Sequence, residues 1–395
     1  MLKGIIFDMD GVLINSEPVH YRVWKKALET RGIDLDYETY KPCIGSTNRF
    51  LLNILHDNYG VDPEDEELAE EVQRLKKTMM EQEGFPVIPG VQDLLKRLKK
   101  FGYRMAIASS SPEEYIRQVV KSLRVETCFD YLMSGESVKN PKPDPDIFLE
   151  TAKHLGLQPE ECLVIEDSKN GCRAAEAAGM TCVAYYNPDS GMQDLSTAAM
   201  VIEGYEEIDG NFLDKVYCHD HHLPATVCET ARLIIREIAE EELPCMVALS
   251  NQNSDPYVTE GEEKPLEEEI ANFPNYRKYM YEMCDMGFWA IVEKKTGKMI
   301  GRIGIEPKMW NGRNSVVELG YLIDSDYRRQ GYALEACRAV LEEAEKRGAR
   351  HLYCRIHSAN LPSVNLARKL GFEKIDYHLE EEGNDINVYR YICNQ

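Results

Sequence analysis

The sequence predicts an α/β chain, with a parallel sheet interrupted by a helical insertion in its first half and an α+β domain in its second. Three observations carry this. Short apolar runs (Gly4–Phe7, Met105–Ala108 and Leu163–Ile165) each end in polar residues before a helical pattern, as buried parallel strands do. Two of these ends carry carboxylate pairs, Asp8 with Asp10 and Glu166 with Asp167. Beyond Thr230 the pattern changes to a hairpin, a further strand and a long helix. At 395 residues the chain is also too long for one ordinary core, so two domains are expected.

Taken in order, alternation along the first strand puts Asp8 and Asp10 on one side of the backbone. Gly11 permits the sharp turn and close approach that an ion or phosphate needs. Glu17 and Pro18 open a helix with the stripe Val19, Val23, Ala27 and Leu28, closed by Gly32. His20 and Trp24 share one of its faces, and Trp24 is expected to pack inward. Helical patterns continue from Arg49 to Asn58 and from Glu66 to Glu83, which makes 15–85 an all-helical insertion. Leu94, Leu95 and Leu98 line the next helix, stopped by Gly102. The strand Met105–Ala108 ends in Ser109, Ser110 and Ser111, whose hydroxyls and free amides suit a phosphate. Lys142 lies among Pro141, Pro143 and Pro145, which hold it in a fixed loop. A lysine there neutralises phosphate charge and crowded carboxylates. Together Asp8, Asp10, Glu166 and Asp167 make a hard oxygen site of the kind that takes Mg²⁺.

These stretches, with Phe7 to Leu13 foremost, resemble the four motifs of the haloacid dehalogenase (HAD) superfamily of phosphotransferases, in order. The resemblance implies a Rossmann-like core over 1–14 and 86–205. It implies a helical cap over 15–85, as in the β-phosphoglucomutase-like branch. Asp8 is then the nucleophile, Asp10 the general acid/base, Ser109 and Lys142 the phosphoryl-binding pair. Metal ligation falls to Asp8, the Asp10 carbonyl and Asp167, with Glu166 close by. His20, Arg49 and Lys76 fall where a mutase places cap residues that hold substrate. A phosphatase on a small phosphorylated metabolite, such as a sugar phosphate, is the preferred expectation, and a hexose-phosphate mutase the alternative.

Periodicity fades over 206–228, which reads as a polar linker; the Cys218–His222 cluster lacks matching metal ligands nearby. Ala231–Ile238 then reads as a strand, and Phe288–Val292 with Met299–Ile305 as a hairpin. Val316–Ile323 is the next strand, and Arg328 to Ala333 opens a helix reaching Arg347. Backbone amides at that helix start, with Gly331 allowing close approach, suit a pyrophosphate. Glu318 to Ile323 before it, and Asn360 to Ser363 with Leu370 to Phe372 after it, resemble the GNAT N-acetyltransferases over 229–395. That resemblance implies an α+β domain with a mixed sheet. It implies acetyl-CoA held near Leu322 and Ile323, by Arg328, Gln330, Gly331, Tyr332 and Ala333, and by Asn360. Many members carry a tyrosine acid where this chain has Ala367. Ser363 is the expected replacement and Glu318 the expected base. A non-catalytic acetyl-CoA-binding module is the alternative.

The composition narrows the setting. A net charge of −22 opposes nucleic acid and anionic lipid. No apolar run is long enough to span a membrane, and the first residues enter a strand without a signal peptide. Twelve scattered cysteines without a CxxC pair fit a reducing, cytoplasmic setting. The expected partners are a phosphorylated metabolite and an amine acceptor, either a small molecule or a protein N-terminus.

Overall fold

The computed structural model describes residues 1–44, 48–251, 265–310, 314–377 and 385–393. The chain divides into two compact units, Met1–His221 and His222–Gln395.

In the first unit six parallel strands are ordered β3-β2-β1-β4-β5-β6. They are β1 (Gly4–Phe7), β2 (Arg104–Ser109), β3 (Tyr131–Ser134), β4 (Cys162–Glu166), β5 (Thr181–Tyr185) and β6 (Met200–Ile202). The central strands β1 and β4 are buried along their whole length, because helices cover both faces of the sheet. One face packs Ile5, Phe7, Met105, Ile107 and Leu163 against α5 (Val91–Phe101) and α6 (Glu113–Leu123). The other packs Ile6, Ala106 and Val164 against α7 (Asp146–Leu155) and α8 (Lys169–Ala177). Between β1 and α5 lies the insertion, with helices α1 (Glu17–Glu29), α2 (Tyr37–Tyr40), α3 (Asn48–Tyr59) and α4 (Glu66–Glu83). Trp24, Leu28, Leu55 and Leu68 give it a separate apolar core, with Trp24 inward as expected.

The expected linker is the main departure. Residues 210–220 form helix α9 (Gly210–Asp220), capped by Asp209 accepting from the Phe212 N–H at 2.9 Å. Leu213, Val216 and Tyr217 are spaced for one helical face and bury in the first core. The polar Cys218–His222 cluster beside them masks that stripe in the sequence. Asp220 accepts from the Thr181 hydroxyl at 2.7 Å, and among the described residues no three or more His, Cys, Asp or Glu side chains gather here to hold a metal.

The second unit is an eight-stranded sheet ordered β13-β14-β12-β11-β10-β9-β8-β7. Its strands are β7 (Thr226–Glu229), β8 (Leu233–Glu237), β9 (Gly287–Glu293), β10 (Met299–Trp310), β11 (Asn314–Ile323), β12 (His351–His357), β13 (Glu373–Ile375) and β14 (Ile386–Ile392). β7 thus begins inside the expected linker. The sheet is mixed: β11 and β12 run parallel, and they pair only at Glu318 and Tyr353. Every other neighbouring pair is antiparallel. Two further helices, α10 (Leu243–Asn251) and α11 (Leu266–Tyr276), precede β9. α12 (Tyr332–Lys346) packs Ala336, Cys337 and Val340 on the sheet, and α13 (Leu361–Leu370) adds Val364 and Ala367. Among the described residues no helix is long and apolar enough to cross a membrane.

Candidate active sites

The carboxyl ends of β1, β2 and β4 meet at one point, where open α/β sheets bind ligands. Asp8 closes β1, its N–H donating to the Ile165 carbonyl at 2.9 Å. Lys142 Nζ donates to Asp8 Oδ1 at 2.6 Å, to Glu166 Oε1 at 2.7 Å and to the Ala108 carbonyl at 3.2 Å. Burial opposes the Lys142 charge, but Asp8 and Glu166 together hold its pKa above the ordinary lysine value. Burial chiefly, with the charges of Glu166 and Asp10, outweighs Lys142 at Asp8 and pushes its carboxyl up to about 7. Asp167 is pushed up in the same way, by burial and then by the charges of Glu166 and Asp8. The site therefore holds more buried negative charge than its one lysine offsets.

Local backbone explains how so many carboxylates fit. Gly11 has φ 84°, and a Cβ there would stand 1.9 Å from Asp167 Oδ2. At Gly171 a Cβ would stand 1.6 Å from Glu166 Oε1. Glu166 is fully engaged, since its Oε2 accepts from the Asp167 and Ser168 N–H groups and the Ser168 hydroxyl. It orients Lys142 and has no oxygen left over, which disfavours it as a metal ligand. Asp8 and Asp167 differ, with Oδ1 alone engaged on the first and Oδ2 alone on the second among the described residues. Each keeps one free oxygen.

Ser109 is buried, and its Oγ accepts from the Ser111 N–H at 3.1 Å, so its own hydrogen remains available. Asp10 stands nearer the cap, accepting from Ser16 Oγ at 2.6 Å and Ser111 Oγ at 2.8 Å. Two of the three expected cap residues lie within reach of its charge. His20 is pushed down to about 4 by burial and the Lys76 charge, against the pull of Asp10. Burial also lowers Lys76, opposed by Asp10 and Glu17. Arg49 is not brought to this point; it pairs with Glu64 at 3.3 Å, and both side chains are exposed.

In the second unit β11 and β12 run parallel, pairing at Glu318 and Tyr353, and α12 follows β11. Gly331 caps that helix with φ 86°, and Arg329 is also left-handed at 58°. Among the described residues the N–H groups of 329–334 find no acceptor, the first helical bond being from Glu335 to Gly331. The side chains turn away from this row of amides. Arg328 Nε donates to the Ile323 carbonyl at 3.0 Å, and Gln330 Nε2 to the Asp326 carbonyl at 2.9 Å. The Tyr332 hydroxyl donates to Glu293 Oε1 at 2.5 Å, and Ala333 packs on the core beside buried Leu322 and Ile323. What the loop offers is backbone. Asn360 caps α13 by accepting from the Ser363 N–H at 3.2 Å. Ser363 Oγ accepts from the Tyr321 hydroxyl at 3.0 Å. Glu318 is held by Arg355 Nε at 2.9 and 3.0 Å from its two oxygens.

Residues 5–185 match the family model for haloacid dehalogenase-like hydrolases. A phosphorylated carbohydrates phosphatase of Thermotoga maritima is 31% identical over 209 residues, 52% of this chain and 96% of that protein. The chain belongs to the HAD-like hydrolases. Hexitol phosphatase B of Escherichia coli (strain K12) is 30% identical over 191 residues, 48% of this chain and 86% of its own. The crystal structure of a β-phosphoglucomutase from Clostridium difficile is 26% identical, covering 56% of this chain and all (100%) of that one, with TM-score 0.48. Residues 232–373 match the acetyltransferase (GNAT) domain model. The chain therefore joins a HAD-like hydrolase to a GNAT acyltransferase.

Several residues of the HAD unit escaped sequence reasoning. Ser111 was in view as part of a serine run, and its alternation with Ser109 is the signal that finds it. Ser16 stands just before the expected helix start, and nothing in the pattern directs it to Asp10. Asn187 and Ser190 gave no signal at all. Asn187 Nδ2 donates to the Gly11 carbonyl at 3.2 Å, and Ser190 Oγ donates to Asp167 Oδ2 at 2.5 Å. One short loop after β5 thus holds both the first turn and Asp167.

Proposed function

We propose that the HAD unit is a Mg²⁺-dependent phosphatase of a small phosphorylated metabolite, a sugar phosphate, working through an aspartyl phosphate on Asp8. The observation that carries this is the pair of unengaged carboxylate oxygens, one on Asp8 and one on Asp167, at the strand end where Lys142 fixes the other Asp8 oxygen. The free oxygens of Asp8 and Asp167, in a pocket of excess buried negative charge, are a donor set that suits a hard cation. Mg²⁺ held there with the Asp10 carbonyl would neutralise phosphoryl charge and keep Asp8 ionised. Asp8 then attacks phosphorus, and the bond from phosphorus to the leaving oxygen breaks. Asp10 acts as the general acid toward that oxygen. It next takes a proton from the water that cleaves the aspartyl phosphate, and phosphate leaves. Ser109 holds a phosphoryl oxygen, joined by the N–H groups of Met9, Asp10 and Ser110, which have no acceptor among the described residues, while Lys142, its three donors engaged, contributes its positive charge. A mutase must hold a second phosphate near the cap, and the outward pairing of Arg49 with Glu64 leaves Lys76 for that task. Phosphatase is therefore the better reading.

The second unit is read as an acetyl-CoA-dependent N-acetyltransferase working in the cytoplasm on an amine. The free amides of 329–334 support the binding of the pyrophosphate. The acceptor amine attacks the thioester carbonyl, the C–S bond breaks, and Ser363 gives a proton to the departing sulfur. Glu318, with Arg355 against both oxygens, takes the amine's proton through water.

The test is phosphate release with Mg²⁺ from a panel of sugar and small organic phosphates, with Asp8→Asn as control. Fast release that Asp8→Asn abolishes supports the reading. Conversion of β-glucose 1-phosphate to the 6-phosphate without release would overturn it. Acetyl transfer to a panel of amines, with Ser363→Ala, tests the second unit.

A further inference from the structure

The leaving group of the phosphatase has to sit against Asp10, which protonates it, and under the cap. Three side chains border that space and have no hydrogen-bond or ion-pair partner among the described residues. His20 Nε2 and the Tyr115 hydroxyl are both buried and unsatisfied, and Lys76 Nζ stands 4.7 Å over the Tyr115 ring. Tyr115 lies on α6, four residues past Ser111, whose hydroxyl holds Asp10. Its ring packs edge-on against Phe85, where the cap rejoins the core, at 5.6 Å. Burial, then the Asp10 charge, pushes its hydroxyl pKa up, so it stays a neutral donor. A phenylalanine would keep both ring contacts and remove the unsatisfied oxygen, which costs stability when no partner is present. The oxygen therefore awaits a partner that arrives with the substrate.

We propose that Tyr115 is a specificity-determining residue of the HAD site, donating to a hydroxyl or ring oxygen of a polyhydroxylated leaving group. This rests on the phosphatase reading above. The substrate class that follows is the monophosphate of a sugar or alditol. Such a leaving group satisfies Tyr115 and His20 together, whereas an apolar alcohol leaves both unpaired and is rejected for that reason.

The test compares wild type with Tyr115→Phe in the full chain with Mg²⁺, on sorbitol 6-phosphate, glucose 6-phosphate and p-nitrophenyl phosphate. The last has a leaving group without hydroxyls. KM for whichever of the two carbohydrate phosphates is hydrolysed should rise about tenfold, the loss of one hydrogen bond. The kcat should change little, and kcat/KM for p-nitrophenyl phosphate should stay within about twofold. Thermal stability without substrate should be equal or higher, since an unsatisfied hydroxyl has gone. An equal loss on all substrates, or no change on the carbohydrate phosphates, overturns the proposal. So does wild-type hydrolysis of p-nitrophenyl phosphate with none of either carbohydrate phosphate. If wild type releases phosphate from none of the three and from no other phosphate ester, the phosphatase reading itself has failed.

Discussion

The buried charge at the HAD site makes a quantitative prediction about the metal-free protein. The Asp8 carboxyl moves from 3.8 to about 7 on folding, chiefly through burial. A tenfold change in proton affinity corresponds to about 1.4 kcal/mol between the protonation states, so the whole rise is worth about 4 kcal/mol. The sign follows from linkage. A carboxyl whose folded value is raised binds more protons when folded than when unfolded. Its contribution is fully present below pH 3.8, falls through the interval, and is gone once pH passes about 7. Asp167 moves in the same direction and adds to the trend. His20 has the opposite sign, since its folded value near 4 lies below its ordinary 6.5 and costs stability as pH falls. Comparing wild type with Asp8→Asn cancels His20, which both proteins carry. In EDTA, calorimetry between pH 4 and 8 should show wild type losing about 4 kcal/mol relative to Asp8→Asn. The transition to follow is the one that Mg²⁺ raises. With saturating Mg²⁺ the relative loss should largely vanish, because the cation keeps Asp8 ionised at little cost. Parallel pH curves for the two proteins in EDTA would refute the reasoning, as would a wild type that gains relative stability toward pH 8.

Other predictions follow from single contacts. Ser190→Ala frees Asp167 Oδ2 from its hydroxyl; Mg²⁺ affinity by titration calorimetry should weaken about tenfold, one charged hydrogen bond's worth, while Ser190→Thr retains it. Gly331→Ala puts a side chain at φ 86°; about 1–2 kcal/mol of local strain should appear in thermal unfolding, with weaker acetyl-CoA binding by calorimetry. Tyr321→Phe removes the donor to Ser363 Oγ; acetyl-transfer kcat should fall severalfold, and the same change in a Ser363→Ala background should have no further effect.

Legibility in the sequence tracked how each residue earns its place. Asp8, Asp10, Glu166 and Asp167 stood out because carboxylates rarely end buried strands, and Lys142 because three prolines surround it. The strands and cap helices are equally plain, since each has a regular apolar period; Arg49 was expected near the site from the resemblance to a mutase, and in the structure it pairs with Glu64. α9 was lost for the converse reason, as its stripe of Leu213, Val216 and Tyr217 runs into a block of polar residues that reads as loop.

The two sites also differ in what their chemistry asks of the chain. A site built from buried charge must use rare residue types, and these are visible one by one. A site built from backbone needs only a glycine at a helix start, so Gly331 is the one sequence signal for the row of amides over 329–334, and the Gln330 and Tyr332 side chains bond elsewhere. The hydroxyls are the hardest class. Ser190, Tyr321 and Tyr115 matter through one oxygen each, and each is an ordinary residue for the element it occupies. Ser190 becomes meaningful only because the loop after β5 reaches Asp167, twenty-three residues back. Tyr321 becomes so only because α13 brings Ser363 against β11, forty-two residues on. Spacing along the chain contains neither fact, since the sheet crossover in one case and the packing of α13 in the other create the contact.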